Sequence, residues 1–226
     1  NNTAVVQTYI RPYLLEGHKF DFRFYVLVSQ IQPFSVYIFS EGIARFCTDP
    51  YTEPSKRNIH NKFMHLTNTA INVNNHQSSF DFTRPATQVL KELPDENVWD
   101  EIKDATRLVF LALYPQIAAA VASANGIELM SVLTKPSRKV NRYFHILGID
   151  FIIDHECKPK VLELNDRPSM KVTASFEEPL KQVMISKAFK LVPYKVKQGN
   201  ALNNSSTIPN QYIGDWEQIL PISSDD

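Results

Sequence analysis

Cysteine, glycine and net charge are all scarce in this sequence of 226 residues. The two cysteines, Cys47 and Cys157, supply neither a disulfide framework nor a zinc pattern, so a reducing compartment is the default. The six glycines form no flexible phosphate-covering loop. Lys and Arg total 24, as do Asp and Glu, and a net charge of zero gives no whole-chain attraction to nucleic acid or to a membrane. Only local basic patches remain. The most apolar long run, Leu108 to Ala122, contains Pro115 and Gln116 and is too short to span a bilayer. There is no signal peptide at the start, no internal repeat and no heptad pattern. The first residue is Asn1, not Met, and a strand-like run follows at once, so the chain reads as a piece of a longer protein.

What is present suits a soluble globular domain: 43% hydrophobic and 21% charged residues, with length enough for one large domain or two small ones. Ala4 to Ile10 is β-branched and aromatic and predicts a strand, followed by a loop from Arg11 to Gly17. Phe20 to Ser29 predicts a second strand. Its alternation places Phe20, Phe22, Phe24, Val26 and Val28 on one face and Lys19, Asp21, Arg23, Tyr25 and Leu27 on the other. The row Lys19, Asp21, Arg23 can grip a polyanion or satisfy itself by internal ion pairing. Phe34 to Phe39 is a third strand, and Glu41-Gly42 a turn. Arg45 then sits in GIARF between apolar neighbours, where its desolvation calls for an anion, either an ordinary salt-bridge partner or a phosphate.

Cys47 to Asn61 reads as a polar loop and Val73 to Pro85 as a mobile one. Between them, Thr67 and Asn68 offer hydrogen bonds that suit a ribose or phosphate, or that cap a turn. Trp99 to Asn125 has helical spacing, with Pro115 expected to kink or divide it. Lys135, Arg138, Lys139 and Arg142 form a basic loop that is either solvated or meets an acidic partner. Phe176 to Val192 predicts an amphipathic helix, Lys195 to Asn210 a flexible polar segment, and Tyr212 to Pro221 a short docking patch. The domain boundary falls at 1–194, with a tail at 195–226. The mixture of strands and helices predicts an α/β (α+β) protein with a mainly antiparallel sheet flanked by helices.

The densest chemistry lies in Gly148 to Ser169, GIDFIIDHECKPKVLELNDRPS. Two apolar-rich runs flank His155-Glu156-Cys157-Lys158, a length suited to a hairpin loop. That register sets Asp154 opposite Pro159, Ile152 opposite Val161 and Asp150 opposite Glu163. Asp150, Glu163 and Asn165 then share one face, and Ile149, Phe151, Ile153, Leu162 and Leu164 the other. Two carboxylates directly across a strand pair repel each other. A hard cation such as Mg²⁺ would turn that repulsion into binding. The alternative is a solvated face whose charges never meet.

The motifs VVQTYI, KFDFR, GIARF, FMHLTN and GIDFIID…KVLELNDRPS resemble, in order and approximate spacing, those of the tubulin tyrosine ligase-like family. The closing YIGDWEQILP is also similar to that family's end segment, and the resemblance covers roughly Val5 to Val192. It implies the C-terminal part of an ATP-grasp fold and ligation of an amino acid to tubulin tails, with glutamate or glycine ahead of tyrosine. It also implies roles for single residues. Gln7, Tyr9 and the backbone of Ile10 would form a hinge against adenine. Lys19 and Asp21 would contact the base and ribose side of ATP. Arg23 and Arg45 would meet the γ-phosphate or an acyl-phosphate, with Thr67 and Asn68 orienting the nucleotide. Asp150, Glu163 and Asn165 would hold Mg²⁺. The implied partners are tubulin or microtubules and an amino-acid substrate, with the basic loop Lys135 to Arg142 a contact for the acidic tail. The implied location is the cytoplasm, on the microtubule cytoskeleton or in the axoneme of a cilium or flagellum.

The chain departs from the family pattern at Thr8, where Lys is common, and at Asp166-Arg167, where small residues are common. With no upstream lysine and no covering loop in the sequence, it is expected to carry the metal and γ-phosphate half of an ATP site. Two functions fit this pattern: an ATP-dependent carboxylate–amine ligase, and a non-catalytic microtubule-associated or axonemal protein that keeps the fold.

Overall fold

A computed structural model describes residues 4, 6–134, 143–192 and 214–221. The elements run β1 (Leu14–Leu15), β2 (His18–Gln30), β3 (Ser35–Phe39), β4 (Ile43–Phe46), α1 (Lys62–His65), α2 (Thr69–Asn72), β5 (Thr83–Pro85), α3 (Ala86–Leu90) and α4 (Val98–Asn125). They continue with α5 (Leu129–Thr134), β6 (His145–Ile153), β7 (Pro159–Asn165), α6 (Glu177–Leu191) and β8 (Trp216–Leu220).

The 13-residue β2 is the spine of the sheet. Phe22 pairs with both Ala44 and Phe151, and Val26 with both Ile38 and Leu147. Strands β4 and β3 therefore share one edge of β2, while β6 lies along the other. Beyond these, β5 pairs with β4, β8 with β3 and β7 with β6, and all of these pairings are antiparallel. The hairpin into β2 turns on Glu16 and Gly17, both at positive φ (54° and 79°), the conformation that matches the twist of paired strands.

The alternation in β2 builds two cores. Phe20, Phe22, Phe24, Val26 and Val28 pack with Ile102, Phe110, Ala118 and Val121 of α4. On the other face, Tyr25 and Leu27 pack with Leu180, Met184 and Ala188 of α6 and with Trp216 of β8. Each fully buried phenylalanine contributes roughly 1.5–3 kcal/mol. The result is an α+β protein with an antiparallel sheet between helices, as the sequence predicts.

Several local expectations fail. The described residues of Ala4 to Ile10 are not a strand, and Val6 is 94% exposed. Strand propensity without a pairing partner does not order a backbone. Of the two outcomes expected at Pro115, a kink or a division, division does not occur: α4 runs unbroken to Asn125 and closes on Gly126 at φ 61°. Both Pro115 and Leu111, whose carbonyl loses its helical partner, lie on the exposed side. By length and composition α4 could cross a membrane, unlike the shorter apolar run within it. Its Ile102, Phe110 and Ala118 are fully buried in the sheet's core, while its Leu108 and Leu111 are exposed. The stretch Val73 to Pro85 ends in β5, and Asn75 Nδ2 bonds Thr48 Oγ1 at 2.8 Å and Asp49 Oδ1 at 2.9 Å. The basic loop Lys135 to Arg142 and the segment Lys195 to Asn210 lie outside the described residues.

The β6–β7 hairpin keeps its predicted register at one end only. Asp150 faces Glu163 and Gly148 faces Asn165, but Phe151 faces Val161, Ile152 faces Lys160 and Ile153 faces Pro159. Leu162 is an extra residue, a β-bulge. The turn therefore spans Asp154 to Lys158, with Cys157 at φ 63° and Asp154 Oδ1 accepting from the amides of Glu156 and Lys158. Lys158 Nζ ties this turn to Asp95 at 2.8 Å and to Glu101 of α4 at 2.6 Å.

Candidate active site

Residues directly opposite on neighbouring strands point to the same face. Two cross-strand rows follow from the register: Arg45 opposite Asp21, and Arg23 opposite Asp150 opposite Glu163. Five charged side chains from four strands thus meet on the face that also carries Tyr25.

Their bonds form one network. Arg45 grips Asp21 with both prongs, Nε to Oδ1 at 2.7 Å and Nη2 to Oδ2 at 2.6 Å. The same Nη2 donates to Asp150 Oδ2 at 2.8 Å. Arg23 grips Asp150 in turn, through Nε to Oδ1 and Nη2 to Oδ2, the latter at 2.7 Å. Thr67 Oγ1 donates to Asp21 Oδ2 at 2.7 Å. Asp21, Arg45 and Asp150 are all buried. Burial raises the pKa of the Asp150 carboxyl, but the bonds and charges of Arg23 and Arg45 outweigh it and hold that carboxyl below the usual range.

Glu163 differs from its opposite number. Its side chain is 58% exposed, and among the described residues its one ion-pair partner is Arg23 Nη2 at 3.9 Å. Asn165 Nδ2 donates to Glu163 Oε1 at 3.0 Å, which leaves the amide oxygen of Asn165 available as an acceptor. Two carboxylates and an amide therefore stand at one end of the arginine network. Asp150 accepts two bonds on Oδ2 and one on Oδ1, which leaves a lone pair on Oδ1. This donor set fits a hard divalent cation that keeps some of its own waters. Among the described residues no three His, Cys, Asp or Glu side chains are placed to hold a metal ion together, and the third donor beside Asp150 and Glu163 is an asparagine.

Two cavities flank the network, and Arg45 and Asn68 line both. The first, of about 250 Å³, is bounded by Lys19, Asp21, Thr67, Asp150, Ile152 and Glu163, with Leu162 alongside. The bulge places Leu162 here, on the carboxylate side, and not with Ile149 and Phe151 as simple alternation predicts. Lys19 Nζ donates to the His65 carbonyl at 3.0 Å and lies 5.5 Å from the centre of the Tyr9 ring. Burial lowers its pKa, partly offset by Cys47 and Asp21. Tyr9 OH lies 3.3 Å from Tyr51 OH. Gln7 is exposed and Ile10 half-buried, and neither they nor Tyr9 border the two cavities. The structure thus gathers Lys19, Asp21, Arg23, Arg45, Thr67, Asn68, Asp150 and Glu163 around one cleft, with Asn165 bonded to Glu163. The segment of Gln7, Tyr9 and Ile10 runs outside it.

The second cavity, of about 240 Å³, is not among the sequence-based expectations. Arg23, Tyr25 and Arg45 form its floor, and Lys171, Glu177 and Lys181 one wall. The i, i+4 spacing of Glu177 and Lys181 was the only sequence signal of this wall. Lys181 Nζ donates to Glu177 Oε2 at 2.6 Å and to the Lys171 carbonyl, and Thr173 Oγ1 donates to Glu177 Oε1.

The antiparallel sheet between helices, with an arginine–carboxylate cleft at its centre, is an α+β arrangement consistent with an ATP-grasp-type fold. The family model described as "Tubulin-tyrosine ligase family" matches residues 1–200, and the chain belongs to that family. It is 34% identical over 215 residues to a probable beta-tubulin polyglutamylase of Tetrahymena thermophila, covering 88% of this chain and 17% of the relative. It is 34% identical over 189 residues to tubulin polyglutamylase TTLL11 of Mus musculus, covering 78% of this chain and 25% of that protein. With tubulin monoglutamylase TTLL4 of Mus musculus the identity is 30% over 219 residues, covering 91% of this chain and 17% of the relative. The chain therefore spans a quarter or less of the length of these curated relatives.

Proposed function

We propose that this chain is part of an ATP-dependent ligase that joins glutamate to carboxylates of tubulin tails. The observation that carries this reading is the meeting of Arg23, Arg45, Asp150 and Glu163 on one face beside two cavities. The names of the relatives, polyglutamylases and a monoglutamylase, favour glutamate over glycine or tyrosine.

A carboxylate is a poor acyl donor because oxide is a poor leaving group. A carboxylate oxygen bonds to the γ-phosphorus of ATP as the bond to the bridging oxygen breaks, ADP leaves with the electron pair, and the carboxylate becomes an acyl-phosphate. The incoming amine then forms the new C–N bond as the C–O bond to phosphate breaks, inorganic phosphate departs with the electron pair, and the amine's proton passes to solvent. The difficulty is electrostatic, since several anions must be held together. Arg23 and Arg45 would neutralise the transferring phosphoryl group. Lys19, Thr67 and Asn68 would position the nucleotide, and Asp21 holds Arg45 in place by its paired bonds. Asp150, Glu163 and Asn165 would hold Mg²⁺, which when bound supplies charge neutralisation at the phosphates.

One observation favours a second reading, a non-catalytic lattice-binding role on microtubules or in an axoneme. Arg23 and Arg45 already spend their forks on Asp21 and Asp150. The deciding measurement is Mg²⁺-dependent ATP binding and glutamate incorporation into tubulin by the full-length protein. Incorporation that drops about 10²-fold or more in Arg23→Ala supports the ligase. A folded full-length protein that binds no nucleotide overturns the ligase reading, and one that then co-sediments with microtubules supports the second.

A further inference from the structure

We propose that the cavity over Arg23, Tyr25 and Arg45 seats the acidic amino acid, and that Lys171 recognises its side-chain carboxylate. This rests on the ligase reading above and adds where its second substrate binds and why that substrate is acidic.

The cavity adjoins the nucleotide-side cavity through two shared residues, Arg45 and Asn68. An amine entering from this side meets a phosphorylated carboxylate lying over the same arginines. The cavity is rich in cations: Arg23, Arg45, Lys171 and Lys181 line it, against the single acid Glu177. Three of the four are already committed. Arg23 and Arg45 are bound to Asp150 and Asp21, and Lys181 to Glu177 and the Lys171 carbonyl. The amine of Lys171 has no hydrogen bond or ion pair among the described residues, and it stands at an exposed position on the rim.

The backbone that carries Lys171 is fixed from both sides. Its amide donates to Ser169 Oγ at 3.2 Å, and its carbonyl accepts from the buried Lys181. Lys181 in turn is held at 2.6 Å by Glu177, which also accepts from Thr173. Glu177 and Lys181 are 2% and 5% exposed. This buried pair braces the rim, so Glu177 and Lys181 are positioning residues and Lys171 is the contact. A volume of about 240 Å³ admits a side chain with a second carboxylate. Glycine would leave most of that volume and the Lys171 charge unused.

The test uses the full-length protein with Lys171→Ala and Lys171→Glu. The position is exposed, so these variants keep the buried Glu177–Lys181 brace. Equilibrium binding of free glutamate is measured in the presence of Mg²⁺ and a non-hydrolysable ATP analogue, alongside KM for glutamate and for glycine. The expected result is about a 10-fold weaker glutamate affinity and a correspondingly higher KM in Lys171→Ala, a larger loss in Lys171→Glu, and unchanged affinity for the ATP analogue. Glutamate binding that is the same in all three proteins overturns the assignment while leaving the ligase reading standing. So does equal use of glycine and glutamate by the unmodified protein. A protein that binds no ATP analogue overturns the ligase reading, and this assignment with it.

Discussion

Arg45 bridges two buried carboxylates with one nitrogen: its Nη2 lies 2.6 Å from Asp21 Oδ2 and 2.8 Å from Asp150 Oδ2. Nη2 joins the two cross-strand rows, because Asp21 belongs to one and Asp150 to the other. A lysine has one nitrogen where arginine offers a planar fork, so it cannot reproduce this geometry. Arg45→Met leaves Asp21 with Thr67 as its remaining side-chain donor. Breaking a buried pair in this way costs about 3–5 kcal/mol. Urea unfolding of Arg45→Met and Arg45→Lys should show a large loss in the first and a substantial one in the second. A change within about 0.5 kcal/mol, the scale of an uncritical surface substitution, would mean the network is not structural.

The same network sets an acid limit. The pKa of Asp150 is held below its ordinary value in the folded protein, so its ionised form favours folding. That contribution is complete above the unfolded-state pKa of about 3.9 and is lost as pH falls through the lower folded value. Asp154 and Asp215 are shifted in the same direction and add to the effect. The urea midpoint should therefore fall steadily as pH drops below about 4. In Asp150→Asn the midpoint should start lower and fall less steeply. Equal slopes for the two proteins would remove Asp150 from the account.

Two glycines separate packing from chemistry. A Cβ on Gly42 would lie 2.5 Å from the Arg23 carbonyl oxygen and 2.7 Å from the Phe24 ring, with rigid backbone as the obstacle. A Cβ on Gly148 would lie 3.0 Å from Cδ of Arg23 and 3.1 Å from Cβ of Pro168, so the arginine stem must shift. Gly42→Ala is expected to destabilise the fold by about 1–3 kcal/mol, within the range of overpacked sites. Gly148→Ala should cost less stability and more ligation, because it displaces the Arg23 fork. Thermal unfolding and glutamate incorporation measured side by side check this. The reverse ranking would contradict it.

Strand β2 shows how much could be read from residue order. A strand covered on both faces needs mostly apolar residues at both parities, and only the N-terminal half of β2 sets a row of charges, Lys19, Asp21 and Arg23, on one of them. That row is the sequence signal of the candidate site, and in the structure Asp21 and Arg23 are ion-paired within it. Asp150 and Glu163 pair as the residue count predicts only because two one-residue offsets cancel: the turn is one residue longer than expected, and the bulge at Leu162 restores the register. The bulge at Leu162 was not legible, since one extra residue leaves no trace in hydrophobic alternation. The Ala4 to Ile10 run misled because propensity describes what a strand tolerates, not whether a neighbour exists to pair with it. The Lys171 wall was hidden for a related reason. Its chemistry depends on where the chain returns after Asn165, and that path is set by Glu177 and Lys181 closing on it.

The bulge also governs which sequence changes the hairpin can absorb. Its strands are two-phase, and Leu162 is the point where the phase of β7 slips by one. Length changes in the Asp154 to Lys158 turn lie on the far side of that slip from Glu163 and Asn165. The bulge can take them up by moving along the strand, and Glu163 and Asn165 keep the face of Asp150. A single insertion or deletion between Leu162 and Asn165 has no such buffer. It would turn the amide to the opposite face of the sheet from Asp150. Length changes at the tip of this hairpin should therefore leave the Asp150–Glu163 pairing intact, whereas an odd change at its base should separate Asn165 from Asp150.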